Sequence, residues 1–203
     1  MMKKILLINS SISGDKGHST QLADQFIAKL PKGSFELDTL DLNLTPVPHL
    51  EMAEIAAWMT PEQDRSAEQQ ALAALSDDII ARIKAADVII VGVPMYNFGV
   101  PSQLKALLDR VARAGITFKY TEQGPVGLLD DKPVVVFATR GGVYQGTALD
   151  SQTPFLQTFF NFVGLKDVHF VYAEGLNMGA DAQQAALTAA QQRLAEISAK
   201  IAA

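Results

Sequence analysis

The 203-residue sequence contains no cysteine, so it can form no disulfide, no thiolate metal site and no redox dithiol. Any electron chemistry would therefore need a bound organic cofactor. Its three histidines, His18, His49 and His169, are too scattered to suggest a zinc site, and no metal is expected. Charge is sparse as well: charged residues make up 19%, the formal net charge is -5, and no lysine-rich or arginine-rich run occurs. The electrostatic footprint of a nucleic-acid binder is thus missing. No apolar stretch approaches the ~20 residues that span a bilayer, the strongest runs being Val88 to Val93 and Val134 to Ala138. The opening MMKKILLINSS is basic and then apolar, but its apolar run covers only Ile5 to Ile8 before polar Asn9, which suits a first strand better than a signal peptide. A cytoplasmic protein without membrane association is expected.

Apolar material is abundant. Hydrophobic residues make up 48%, enough to bury a real core, and the length suits one domain over residues 1–203. Lys4 to Ile8 is a short apolar run, followed by a polar loop, Ile12 to His18, and a helical pattern over Ser19 to Leu30 with Leu22, Phe26, Ile27 and Leu30 on one face. Phe35 to Leu42 alternates as a strand does, and the segment Leu50 to Thr60 is apolar without a clean period, which predicts an irregular excursion. A long helix is predicted over about Pro61 to Ala86, its start marked by Thr60-Pro61. Strand, loop and helix then recur as Asp87 to Val93, Pro94 to Pro101 and Ser102 to Ala114. After a Gly-Pro-Gly excursion over Thr117 to Leu129 they recur again, as Pro133 to Ala138, the loop at Thr139 and a helix over Thr153 to Val163. Val168 to Ala173 is a fifth strand, and Asp181 to Ala203 closes the chain as an alanine-rich helix.

Strands alternating with helices require right-handed crossovers and a parallel sheet covered on both faces. The expected fold class is α/β: a flavodoxin-like, doubly wound, five-stranded parallel sheet in the order 2-1-3-4-5. Ligands in such sheets bind beyond the carboxyl ends of the strands, beside the switch point. Three loops fall at that edge.

The first offers Ser11, Gly17, His18 and Ser19 at a helix start, where unpaired N–H groups and the helix dipole can hold a phosphate. Taken alone, Ser19 is equally an ordinary N-cap. Neither GxxxxGK[ST] nor GxGxxG occurs here, so a mononucleotide is favoured over a nucleoside triphosphate or a dinucleotide. The second loop joins Met95, Tyr96, Asn97 and Phe98, apolar faces with an amide, as a flat heteroaromatic ring requires; the alternative is core capping with a turn at Asn97. The third holds Gly141 and Gly142, whose bare backbone can approach a ligand edge and aim N–H groups at it, or which simply make a glycine turn.

Pro-Met-Tyr-Asn-Phe at 94–98, the stretch Ala-Arg-Ala-Gly-Ile-Thr-Phe-Lys-Tyr-Thr-Glu-Gln-Gly-Pro-Val-Gly-Leu at 112–128, and Thr-Arg-Gly-Gly at 139–142 together resemble the FMN-dependent NADH:quinone oxidoreductase and azoreductase family, over essentially the whole chain. The resemblance implies that Ser11 and Gly17 to Ser19 hold the FMN phosphate, and that Met95, Tyr96, Asn97, Phe98, Thr139, Arg140, Gly141 and Gly142 hold the isoalloxazine ring. Two departures stand out: Gly17-His18-Ser19 replaces the Ser-Gln-Ser of some members, and Thr139 replaces a serine.

The resemblance further implies a homodimer with active sites at the subunit interface and aromatic substrate walls, here Tyr120 and Phe162, with Tyr144 as another candidate. Trp58 and Met59 belong either to the core or to the partner-facing wall. The implied reaction is ping-pong, NADH reducing the flavin and a quinone or azo compound taking the electrons, with no side chain acting as a nucleophile. Three rivals have different signatures. One-electron carriers of the same fold are more acidic and lack the excursions at 50–59 and 118–129. A receiver-like domain needs acidic residues that Asn9-Ser10-Ser11 and Pro94-Met95-Tyr96 do not supply. A binding module without catalysis shares any fold with an enzyme.

Overall fold

A computed structural model describes residues 2–202. In chain order the first elements are β1 (Lys3–Asn9), α1 (His18–Lys29), β2 (Phe35–Asp41), α2 (Met52–Met59), α3 (Ala67–Ala85), β3 (Val88–Pro94) and α4 (Ser102–Val111). They are followed by β4 (Phe118–Thr121), β5 (Gly124–Gly127), β6 (Val134–Thr139), α5 (Gln152–Val163), β7 (Val168–Ala173) and α6 (Ala180–Ala202). Five strands form one sheet in the order β2-β1-β3-β6-β7, every neighbouring pair parallel. Numbered within the sheet alone, this is the expected 2-1-3-4-5.

The strands read as near-continuous apolar runs because both of their faces are covered. Successive side chains point to opposite sides. Leu6, Ile8, Ile89, Val91, Val134 and Val136 join a cluster with Ile79, Leu107 and Leu156 of α3, α4 and α5. Ile5, Leu7, Ile90, Val135 and Phe137 join another with Phe26 of α1 and Leu194 of α6. The strands end at Asn9, Pro94, Thr139 and Ala173 along one edge, so the loops that follow them gather there.

Four expectations need correction. Residues 50–60 are not an irregular excursion but contain α2, which lacks an apolar stripe because the residues it buries are Glu54 and Ala57. Met52 and Met59 are left 75% and 81% exposed. The helix is held by charge: Arg110, fully buried on α4, donates to both Glu54 oxygens at 3.0 and 2.6 Å and to the carbonyls of Pro48 and His49. Glu54 also fixes its start, its Oε2 accepting from Glu51 N at 3.2 Å.

The long helix does not begin at Pro61. Residues 62–64 form a 3-10 turn, and α3 starts after Ser66, whose hydroxyl accepts from Gln69 N at 3.2 Å while the Gln69 side chain accepts from Ser66 N at 3.0 Å. The helix predicted to reach Ala114 stops at Val111. Ser19 is not an N-cap; Gly17 holds that position and Ser19 lies inside α1, fully buried. The excursion at 117–129 is ordered as an antiparallel β4–β5 hairpin, anchored by Leu129 N donating to Val163 O of α5 at 3.0 Å.

Candidate functional site

The first loop is folded tightly upon itself. A Cβ on Gly17 would lie 2.7 Å from Ser11 Cβ, so glycine is required there for space. Ser11 Oγ accepts from Ser13 N at 3.2 Å and lies 3.3 Å from the Tyr96 hydroxyl, which also accepts from Ile12 N at 3.3 Å. Tyr96 thereby ties the first loop to the second. At the start of α1 no side chain caps the helix, and among the described residues the N–H groups of His18, Ser19 and Thr20 have no partner. The buried hydroxyls of Ser19 and Thr20, together with His18 Nδ1 and Asn9 Oδ1, also lack one. Buried polar atoms are nearly always paired in native proteins; the Asn9 oxygen can only accept, but the unpaired N–H groups and hydroxyls at the helix start are the arrangement that receives an anion.

The second loop is a tight hairpin. Tyr96 and Gly99 exchange both backbone hydrogen bonds, at 3.1 and 2.9 Å. The central residues Asn97 and Phe98 both take positive φ, 49° and 65°. A bulky side chain in that region costs about 1–3 kcal/mol and persists only where surrounding contacts enforce it. Those contacts are Ser151 Oγ donating to Phe98 O, Gln152 Nε2 donating to Pro94 O at 3.1 Å, and Met95 N donating to Thr139 O at 2.8 Å.

In the third loop Arg140 points away from the ligand edge. Its side chain is buried in the body of the domain, bonded to Asp150 Oδ1 at 2.8 Å, Glu174 Oε1 at 3.0 Å and Thr153 Oγ1 at 2.8 Å, over the Tyr172 ring at 5.1 Å. Burial alone would raise the Asp150 carboxyl, but hydrogen bonds from Thr153 and Arg140 outweigh it and hold its pKa below the usual carboxylate value. Burial pushes the Tyr172 phenol up. Gly141 and Gly142 have no positive φ; a Cβ would lie 2.5 Å from Asn177 Nδ2 at the former and 2.6 Å from the Tyr144 hydroxyl at the latter, so a larger residue would have to displace the ends of those two side chains. Their carbonyls accept from Asn177 N and Gly175 N at 3.0 and 2.9 Å, whereas among the described residues their N–H groups have no partner.

Met95, Asn97, Phe98, Gly141, Gly142, Tyr144 and Asn177 line one open cavity of about 470 Å³, with Phe98 and Tyr144 edge to face at 5.4 Å. Asn177 escaped the sequence reading, although it follows a fifth strand ending at the same edge and the same topological rule reaches it. Tyr120 and Phe162 are not brought to this cavity. Both pack on Phe118, with ring centroids at 5.4 and 4.3 Å, and Tyr120 is 76% exposed. Trp58 is half-buried beneath the Arg113 guanidinium at 5.1 Å, while Met59 faces solvent. Among the described residues no group of three acidic, histidine or cysteine side chains could hold a metal.

Residues 3–197 match the flavodoxin-like fold family. A protein of Alteromonas mediterranea, an FMN-dependent NADH:quinone oxidoreductase, is 50% identical over 198 residues, 97% of this chain and 99% of its own. One of the same description from Cellvibrio japonicus is 55% identical over 180 residues, 88% and 90% of the two chains. Among solved structures, an FMN-dependent NADH-azoreductase of Bacillus anthracis in complex with FMN superposes with a TM-score of 0.88 at 27% identity, covering all of both chains. Fold and site edge thus define a flavodoxin-like protein. Within that class, the chain belongs to the family of FMN-dependent NADH:quinone oxidoreductases.

The residues present fit that family's cofactor. A phosphate matches the donors at the start of α1 that have no partner among the described residues, and a flat ring with one polar edge matches a cavity walled by Met95 and Phe98 and bordered by the N–H groups of Gly141 and Gly142, which have none there either.

Proposed function

We propose that this chain is an FMN-dependent enzyme that passes two electrons from NADH to quinones, giving hydroquinones, and cleaves aromatic azo compounds to amines. The observation that carries this is the convergence, at one sheet edge, of helix-start donors that have no partner among the described residues and a cavity that combines the apolar side chains of Met95 and Phe98 with polar groups. When bound, FMN supplies the exchange of an electron pair between donor and acceptor. Ser11, Gly17, His18 and Ser19 hold its phosphate through hydroxyl and backbone donors. Met95, Tyr96, Asn97 and Phe98 position the ring, and Thr139, Gly141 and Gly142 bound its polar edge. Arg140 acts on the site indirectly, by holding the loop from which those glycines present their N–H groups. Donor and acceptor occupy the open side of the cavity in turn, a ping-pong order. An azo bond needs two such rounds and a quinone one.

The same proposal extends to assembly. Residues 1–203 act as one domain, and separate apolar clusters on the two faces of the sheet support its doubly wound character. Tyr120 and Phe162 lie away from their own chain's cavity lining, so we take the protein to be a homodimer in which each protomer adds an aromatic substrate wall to the other's site, beside Tyr144. Among the described residues no helix is long and apolar enough to cross a membrane, and the low charge of the sequence accords with small-molecule rather than nucleic-acid partners in the cytoplasm.

The test is the visible spectrum of the purified protein with FMN, followed by anaerobic NADH and then a quinone. Bleaching by NADH and recovery on adding the quinone are expected. A protein that leaves FMN free in solution overturns the proposal.

A further inference from the structure

We infer that Asn177 is a cofactor-contacting residue whose carboxamide hydrogen-bonds the polar edge of the isoalloxazine and binds the reduced flavin more tightly than the oxidised one. The inference rests on the FMN reading of the cavity and deepens it.

The loop after β7 is laid against the Arg140–Gly142 segment by three backbone bonds. Gly175 N donates to Gly142 O at 2.9 Å, Leu176 N to Arg140 O at 3.1 Å and Asn177 N to Gly141 O at 3.0 Å. Glu174 completes the union, its Oε1 accepting from Tyr144 N and Gln145 N at 2.9 Å each. The backbone of Asn177 is therefore fixed without help from its side chain.

The side chain has no structural duty of its own. Among the described residues no hydrogen bond engages its carboxamide, which faces the cavity with Asn97, Phe98 and Tyr144. It covers Gly141 so closely that a Cβ there would lie 2.5 Å from Nδ2 and 3.2 Å from Cγ. Two donors and a two-lone-pair acceptor thus stand beside the unpaired N–H groups of Gly141 and Gly142. An isoalloxazine edge presents alternating acceptors and a donor, which a carboxamide can match in either flip state. On reduction, negative charge gathers at the N1 and C2 carbonyl end of that edge. A donor aimed there is worth more to the reduced form, by the logic of any preorganised donor facing developing charge.

A residue that only supports Gly141 would change the affinity of both redox forms alike. The measurements are the dissociation constant of oxidised FMN, from quenching of flavin fluorescence, and the two-electron reduction potential of bound FMN, equilibrated against a reference dye. The two together give the affinity of the reduced form. For Asn177→Ala, oxidised FMN should bind within about threefold of wild type, while the ratio of reduced to oxidised dissociation constants rises about tenfold, equivalent to a potential ~30 mV more negative for a two-electron couple. Asn177→Asp should shift the ratio further in the same direction, because its charge opposes that of the reduced ring. An unchanged ratio in both variants, or an equal weakening of both forms, overturns the inference while leaving FMN binding intact. Failure of the wild-type protein to bind FMN overturns the functional reading with it.

Discussion

Arg140 Nη1 donates to Glu174 Oε1 over 3.0 Å, and that single oxygen also accepts the backbone N–H groups of Tyr144 and Gln145. Glu174 is thereby the joint between a fully buried guanidinium and the turn that carries the aromatic wall of the cavity. Arg140 closes the network on its other side through Asp150 at 2.8 Å.

Arg140→Met should leave two carboxylates uncompensated in the body of the domain. Breaking a buried pair in this way costs about 3–5 kcal/mol. Urea denaturation of the apoprotein should show that loss, and pairing the change with Asp150→Asn should recover part of it. FMN affinity should fall with stability as the 144–145 turn loosens.

Acid should act through Asp150. Its folded pKa lies below the ordinary value of 3.8, so its contribution to stability is fully present above that value and is lost as pH falls through the depressed folded value. Asp150→Asn should therefore be less stable than wild type at pH 7, with the difference shrinking below about pH 4. Parallel stability curves for the two proteins down to pH 2.5 would contradict the assignment.

Ser19→Ala should separate binding from folding. The hydroxyl is buried and has no partner among the described residues, so removing it should leave the apoprotein as stable as before or slightly more so. If it donates to a phosphate, its loss should weaken FMN by about 1.5–3 kcal/mol, roughly ten- to a hundredfold. Calorimetry on the apoprotein and flavin-fluorescence titration measure the two quantities independently.

Gly17→Ala should fail on space rather than on backbone dihedrals. The φ of Gly17 is -70°, which alanine adopts freely, but its Cβ would collide with Ser11. Overpacking of this kind costs about 1–3 kcal/mol, and displacing Ser11 should also disturb its contact with Tyr96. Weaker FMN binding by flavin-fluorescence titration, with a lower urea midpoint for the apoprotein, is the expected outcome.

Much of the fold was legible because it depends on local pattern. Runs such as Val88 to Val93 are short, continuously apolar and rich in β-branched residues, as strands buried on both faces are, and their alternation with amphipathic helices dictates a parallel sheet. Residues 52–59 were illegible for a physical reason. That helix buries Glu54 against Arg110, 56 residues further along the chain, and turns Met52 and Met59 outward, so hydrophobic period carries no signal there. The same holds for Arg140, whose place beside Gly141 suggests a ligand contact although its guanidinium turns inward to acids 10 and 34 residues away.

By itself, then, the sequence determined the five strands, their parallel sense, the edge at which they end and the three loops that reach it, because each follows from periodicity, turn chemistry and the handedness of crossovers. Only the tertiary structure decided which groups in those loops are free to bind. Tyr96, Arg140 and Glu174 use their polar atoms in cross-loop bonds, whereas Ser19 Oγ, the N–H groups of Gly141 and Gly142, and the Asn177 carboxamide have no protein partner among the described residues. Hydrogen-bond partners lie tens of residues away along the chain, and no local pattern reports them.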